Sequence, residues 1–173
     1  MNDIIENMVN RRSIRKYSSR QVDEEKLQEI LKAGTYAATG MGRQSPIMIV
    51  IQDTEAREEL RKINAEIMGN PDTDPFYGAP TVIVVLANKK ISTCVEDGSL
   101  VMGNLMNAAF ALGVDSCWIH RAREEFEGTK GKMLLKKWGI EGDYIGVGHC
   151  ILGYRNCELP TPAKRKENYI YRV

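Results

Sequence analysis

The chain has 173 residues, 43% of them hydrophobic and 27% charged, with 24 basic side chains against 23 acidic ones. That composition belongs to a globular chain able to bury a substantial core, and its balanced charge argues against a nucleic-acid surface. No run approaches the roughly 18 consecutive apolar residues of a membrane span, and the acidic start Met1-Asn2-Asp3-Ile4-Ile5-Glu6 lacks the basic-then-apolar order of a secretory signal.

Asp3 is placed to cap a helix through about Asn10, striped by Ile4, Ile5, Met8 and Val9. A basic heptapeptide follows, Arg11-Arg12-Ser13-Ile14-Arg15-Lys16-Tyr17. Asp23 then caps a second helix to about Ala37, with Leu27, Ile30 and Leu31 inward. Thr39 to Pro46 is a Gly-containing loop, and Ile47–Ile51 a buried strand dense in β-branched residues. Asp53 or Thr54 starts a helix to about Met68, with Leu60, Ile63 and Ile67 at helical spacing. Asn70 to Ala79 carries two prolines and two aspartates and is expected as a surface loop able to serve as a lid.

Thr81–Ala87 is apolar on both faces, which predicts a central strand. Residues 95–112 form a helix apolar nearly all round, either central or in a subunit interface. Gly113 ends it before a short strand, Val114–Ile119; a helix over Gly128–Trp138 and a last strand, Tyr144–Leu152, complete the predicted elements. The tail from Tyr154 to Val173 lacks helical periodicity and cannot cover its own Tyr169, Ile170, Tyr171 and Val173, so it needs another surface, such as a partner subunit. No repeat or internal boundary appears, so residues 1–173 are expected as one domain with 154–173 as an arm. The loose alternation of strands and helices fits α+β as well as α/β.

Cys94, Cys117, Cys150 and Cys157 form no CxxC pair and no Cys/His cluster of zinc type. They predict reduced thiols in a cytoplasmic protein rather than disulfides, and with only His120 and His149 no metal site is expected. His149, in a strand, reads as a satisfied core histidine. Arg121 and Arg123 beside Glu124 and Glu125 read as a solvated charged face.

Four cations and a hydroxyl within seven residues of a nearly neutral chain suggest a site for one compact anion, because Arg matches phosphate with planar, multi-donor geometry. The plainer reading is that Arg11 and Arg12 complement the carboxyl end of the preceding helix. Three features favour the anion. Gln44, on the Gly-containing loop, offers both a donor and an acceptor to a uracil-like ring edge. Lys164-Arg165-Lys166 supplies a second cationic cluster. Neither a G-x-G-x-x-G after a strand nor a G-x-x-x-x-G-K-[ST] is present, which argues against Rossmann and P-loop sites.

The heptapeptide resembles the phosphate-binding signature of the flavin-dependent nitroreductase family, and the likeness extends over nearly the whole chain. Ala37 to Pro46 resembles that family's A-P-S-x-x-N-x-Q-P-W loop, and Gly78 to Val85 its A-P-x-x-I-V-V strand. Asn104-Leu105 with Ala108-Ala109 and Leu112-Gly113-Val114 resembles its N-L-x-x-A-A-x-x-L-G-x-G helix and turn; Cys117-Trp118-Ile119 and Ile151-Leu152-Gly153-Tyr154 match its later strands. The resemblance implies an α+β sandwich around a mostly antiparallel central sheet flanked by helices, in a homodimer with exchanged C-terminal arms.

It further implies two FMN molecules at the dimer interface, passing electrons from NAD(P)H to a nitroaromatic, quinone or similar small acceptor. Carried across, Arg11, Arg12, Ser13 and Arg15 would hold the FMN phosphate and ribityl chain, and Thr39 and Gln44 would meet the flavin. Backbone groups around Ile119, His120 and Arg121 would lie near its N5 edge, and Arg165 with Lys164 would complete the phosphate clamp. Flavin N5 would carry the chemistry, with no dedicated acid–base residue. Gly42 stands where the family has Asn, and Ser45-Pro46-Ile47 replaces its Pro-Trp wall. A non-enzymatic FMN-binding protein for storage or redox sensing is the alternative from another class.

Overall fold

The computed structural model describes residues 1–173. Its elements, in chain order, are α1 (Asp3–Asn10), α2 (Glu24–Thr35), β1 (Pro46–Ile51), α3 (Thr54–Ile67), β2 (Thr81–Asn88), α4 (Cys94–Ala111), β3 (Asp115–Ile119), α5 (Ala122–Glu127), α6 (Thr129–Lys137) and β4 (Tyr144–Gly153). The strands form one sheet in the order β1-β2-β4-β3, with every neighbouring pair antiparallel. This is the α+β sandwich expected above.

The period-2 alternation of β2 builds two cores at once. Val82, Val84 and Leu86 enter a cluster with Leu60, Phe76, Phe126 and Leu134, beneath α3, α5 and α6. Ile83, Val85 and Ala87 enter the opposite cluster with Leu27, Ile30, Val101, Met102 and Leu105, beneath α2 and α4. The absence of a side chain at Gly98 lets α4 sit close on the sheet, since a Cβ there would lie 2.5 Å from a Val147 methyl. Val147 is itself an extra residue in β4: the register runs Val85↔Gly148 and then Leu86↔Gly146, a bulge. Gly146 beside it accommodates the start of α5, because any Cβ would overlap the Ala122 carbonyl.

Five local expectations change. β1 is not a buried strand but a half-exposed edge strand: only Ile51 is buried, and Val50 is 38% exposed, because no strand covers its outer side. The cap of α1 is Asn2, whose Oδ1 accepts the Ile4 N–H at 3.0 Å. Asp23 makes no side-chain cap; its carboxylate instead accepts from Arg20 at 3.0 Å and from the Tyr154 hydroxyl at 2.9 Å.

Residues 70–79 are pinned rather than lid-like. Phe76 is fully buried, and the Asp74 carboxylate accepts the Phe76 and Gly78 N–H groups and an Arg57 guanidinium N–H at 2.7 Å. Finally, 122–127 is a helix whose Arg123 and Glu124 form the expected solvated charged face, while Glu125 turns inward: it is 1% exposed, as are Ala122 and Phe126, one turn apart.

Candidate functional site

The basic heptapeptide leaves α1 as extended chain laid beside β3. Ile14 N–H donates to the Ser116 carbonyl at 3.0 Å, and Ser13 bridges Ser116 in parallel. Ile14 and Tyr17 are the apolar anchors of this segment, both buried, with the Tyr17 hydroxyl donating to the Ile14 carbonyl at 2.9 Å. Burial drives the Tyr17 phenol's pKa far above its ordinary value.

The end of the segment pairs with the root of the tail. Tyr17 bridges Arg155, Ser18 N–H donates to the Tyr154 carbonyl, and Asn156 N–H donates to the Lys16 carbonyl. Arg155 is fixed in turn by an ion pair at 3.0 Å to the buried Asp115.

That short pairing carries the tail back over the heptapeptide. Between them lies a cavity of about 780 Å³, walled by Arg11, Arg12, Ser13 and Arg15 on one side and by Pro160–Ala163 and Arg165 on the other. No acidic residue lines it, and none of its four arginines forms an ion pair. Arg12 Nη1 donates to the Val9 and Arg11 carbonyls at 2.7 and 2.8 Å, so one arm of this guanidinium does serve the end of α1. Arg12 Nε and Arg11 Nη1, however, are buried donors without a protein partner. Buried donors of this kind cost free energy unless an acceptor reaches them, and a phosphate supplies several acceptor oxygens. Lys164 does not line this cavity.

Thr39 and Gln44 line a separate cleft of about 120 Å³, floored by Gly34, Met48 and Val101. Their loop holds three residues in the left-handed region, Met41 (φ 56°), Gly42 (φ 66°) and Gln44 (φ 48°). Gly and Asn are the residues that tolerate such a φ best, so Gly42 suits the position where an Asn stands in the motif the loop resembles.

The loop is tied to α4 through Asp97, 2% exposed, whose carboxylate accepts the Ser45 hydroxyl at 2.6 Å, the Gly40 N–H at 2.9 Å and the Thr93 hydroxyl at 3.2 Å. Ser45, the other departure, is therefore an anchor. Burial works to raise the Asp97 pKa, but the Ser45, Gly40 and Thr93 donors outweigh it and hold the group below the usual carboxylate range.

A carboxylate depressed on folding adds stability above its ordinary pKa and loses that contribution as pH falls through the lower folded value. Asp97→Asn is expected to lower stability by about 2–3 kcal/mol at pH 7, since it weakens hydrogen bonds to a charged acceptor. Urea unfolding should show that gap closing below about pH 4.

Ile119, 6% exposed, offers only its backbone, while His120 and Arg121 line a third cavity of about 370 Å³ with Trp118, Gly146 and Val147. Within one chain the three groups of candidate residues thus occupy three separate cavities. The turn is held from beneath. Asn64 of α3, fully buried, donates from Nδ2 to the His120 carbonyl at 3.1 Å and accepts the Arg121 Nε–H on Oδ1 at 2.8 Å. Arg121 adopts φ 76°.

The His149 ring, fully buried, places Nδ1 3.3 Å from the Ile119 carbonyl and Nε2 2.6 Å from Glu125 Oε2. No other protein donor reaches that carboxylate. Asn64 and Asp97 are the residues that reading the sequence missed. The available signal was a lone polar group on an apolar stripe: Asn64 lies four residues from Leu60, and Asp97 opens a helix otherwise apolar nearly all round.

Comparison with known proteins points one way. The profile of the Nitroreductase family matches residues 8–154. A protein of Archaeoglobus fulgidus whose provisional name is NADH dehydrogenase/NAD(P)H nitroreductase is 32% identical over 160 residues, covering 89% of this chain and 86% of its own. A nitroreductase crystal structure with bound FMN from Bacteroides fragilis superposes with a TM-score of 0.90 at 26% identity, covering 100% of both chains. An FMN-dependent nitroreductase from Clostridium difficile R20291 does so with a TM-score of 0.81 at 27% identity, covering 97% of this chain and 98% of its own.

Proposed function

Since the chain belongs to the nitroreductase family, we propose that it is an FMN-dependent oxidoreductase working as a homodimer, with NAD(P)H as donor and a nitroaromatic, quinone or similar small molecule as acceptor. The observation that carries this reading is the cavity between the two ends of the chain, where four guanidinium groups without an ion-pair partner and Ser13 face one space. Arg11 Nη1 and Arg12 Nε are buried donors lacking acceptors, and the FMN phosphate fits that need.

In this reading Arg11, Arg15 and Arg165 hold the phosphate, Ser13 adds a short donor, and Arg12 contributes Nε while its Nη1 stays on α1. Thr39 and Gln44 meet the ring from their loop; the Gln44 N–H donates to Thr39 Oγ1 at 3.1 Å and steadies the loop, and the Gln44 side-chain amide makes no bond within the protein. Backbone groups of Ile119, His120 and Arg121 border the ring edge. The bound flavin supplies the electron transfer itself; the protein positions it and excludes competing contacts.

Uncovered surfaces of the chain support the homodimer in this reading. The candidate residues fall in separate cavities of one chain, so a shared site at a two-fold axis is the economical way to unite them. The apolar face of α1 is uncovered, with Ile4, Ile5, Met8 and Val9 each more than half exposed. Tyr169, Ile170 and Tyr171 of the arm are bare as well, and the outer edge of β1 has no strand partner. Apolar surface of this extent marks an interaction site.

The purified protein is expected to show the visible bands of oxidised flavin and to release FMN on denaturation. Steady NAD(P)H oxidation in the presence of a quinone or nitroaromatic is expected to follow. A colourless protein that takes up no added FMN would end this reading; tight FMN with negligible turnover would leave a binding protein rather than an enzyme.

A further inference from the structure

Resting on the reading that the Ile119–Arg121 turn borders the FMN ring, we propose that Asn64 is a positioning residue, buried beneath that turn, which fixes the peptide between His120 and Arg121 and so tunes the bound flavin. Asn64 sits on the inward stripe of α3, four residues after the buried Leu60 and one before the buried Ala65. An apolar residue is the default there, and a buried amide is costly unless its donor and acceptor are both met.

Both are met, and by one two-residue segment: Nδ2 donates to the His120 carbonyl, and Oδ1 accepts the Arg121 Nε–H. No other group bonds either atom. The amide plane thus clasps the turn from the backbone on one side and the side chain on the other.

The conformation held this way is not one the chain adopts freely. Arg121 has φ 76°, a left-handed value that a long L side chain disfavours. Strained residues of this sort persist where the surroundings over-determine them, and they cluster at functional sites. Here every carbonyl of the turn has an assigned partner. Ile119 faces His149 Nδ1; His120 is bound by Asn64; Arg121 accepts the Glu125 N–H at 3.0 Å.

Because a peptide is planar with C=O and N–H opposed, pinning the His120 carbonyl on Asn64 turns the Arg121 N–H away from the core. Neither that N–H nor the His120 N–H has an acceptor within the protein. Asn64 therefore decides the direction in which the turn presents its backbone, without itself meeting a ligand.

Three variants of the full chain test this. Asn64→Leu removes both bonds, Asn64→Asp keeps the Arg121 acceptor but loses the donor to His120, and Arg121→Met removes the other half from the rim. The phosphate cradle is untouched, so FMN dissociation constants of the two Asn64 variants are expected within about threefold of the parent. The flavin's two-electron equilibrium is expected to shift by about tenfold or more, ~30 mV per tenfold. Hydrogen exchange of the buried Glu125 amide, whose N–H donates to the Arg121 carbonyl, is expected to accelerate by about tenfold or more in FMN-free protein.

Folded, FMN-loaded variants with the parent's potential overturn the inference, whatever their exchange rates, because the role is then structural only. If Asn64→Leu does not fold, Asn64→Asp and Arg121→Met carry the measurement. A parent that takes up no FMN overturns the functional reading and this inference with it; a parent that binds FMN beside variants of unchanged potential overturns this inference alone.

Discussion

Replacing Arg11 and Arg15 together by alanine is expected to weaken FMN binding by about 10²- to 10⁴-fold. Each charge-assisted contact to a phosphate is worth about 1.5–3 kcal/mol, so two lost contacts amount to about 3–6 kcal/mol, and each 1.4 kcal/mol is tenfold. The size follows from the cavity's composition. Its walls hold four guanidinium groups and no carboxylate, so no protein anion competes with the phosphate for them. Arg12→Ala should behave differently, because Arg12 already spends Nη1 on the Val9 and Arg11 carbonyls and its loss would loosen the end of α1 as well. Titration of FMN fluorescence on the cofactor-free protein gives the constants directly. An unchanged affinity in the double variant would move the phosphate to another part of the molecule.

The second large effect concerns stability. Glu125→Leu or His149→Leu alone is expected to destabilise the fold by about 3–5 kcal/mol, because each leaves the other polar group buried without its partner. The two side chains are both inaccessible to solvent and meet at 2.6 Å, against the Phe76 ring, whose centroid is 5.3 Å from that of His149. The double variant, with two apolar groups of similar volume, should recover most of the loss, since the attraction between a buried pair roughly offsets its desolvation. Chemical denaturation of the four proteins in the cycle tests this. Single variants within about 1 kcal/mol of the parent would show that the pair is not coupled. A loss of 3–5 kcal/mol is a large part of the total, which for domains is about 5–15 kcal/mol.

The sheet was legible in the sequence because each strand has a clear pattern. Val82 to Ala87 had to be buried on both faces, and the structure divides them between two cores by strict alternation. The basic segment was legible as well, because Ile14 and Tyr17 are the only apolar residues among its cations and become its anchors.

What stayed hidden depends on contacts between residues far apart in the chain. Glu125 looks like one more surface acid in the run Arg123-Glu124-Glu125, and only the approach of β4 reveals it as the partner of His149. Asn64 bonds residues 56 and 57 positions away, and Asp97 bonds Gly40 57 positions away. Local pattern has no access to such pairs. Exchange of arms rests on the family resemblance; the single chain shows only that Tyr169, Ile170, Tyr171 and the apolar face of α1 are uncovered.

The pairing of Tyr17 and Ser18 with Tyr154 to Asn156 also has a bearing on biosynthesis. Arg11 and Arg165 can face each other only after almost all of the intervening polypeptide has left the ribosome and collapsed into the sandwich. Closing so long a loop is slow and entropically uphill until the sheet is there to reward it. A nascent chain stalled before Arg165 would expose a half-cradle of uncompensated positive charge, and the cavity between the two ends closes only as a late, post-synthetic event.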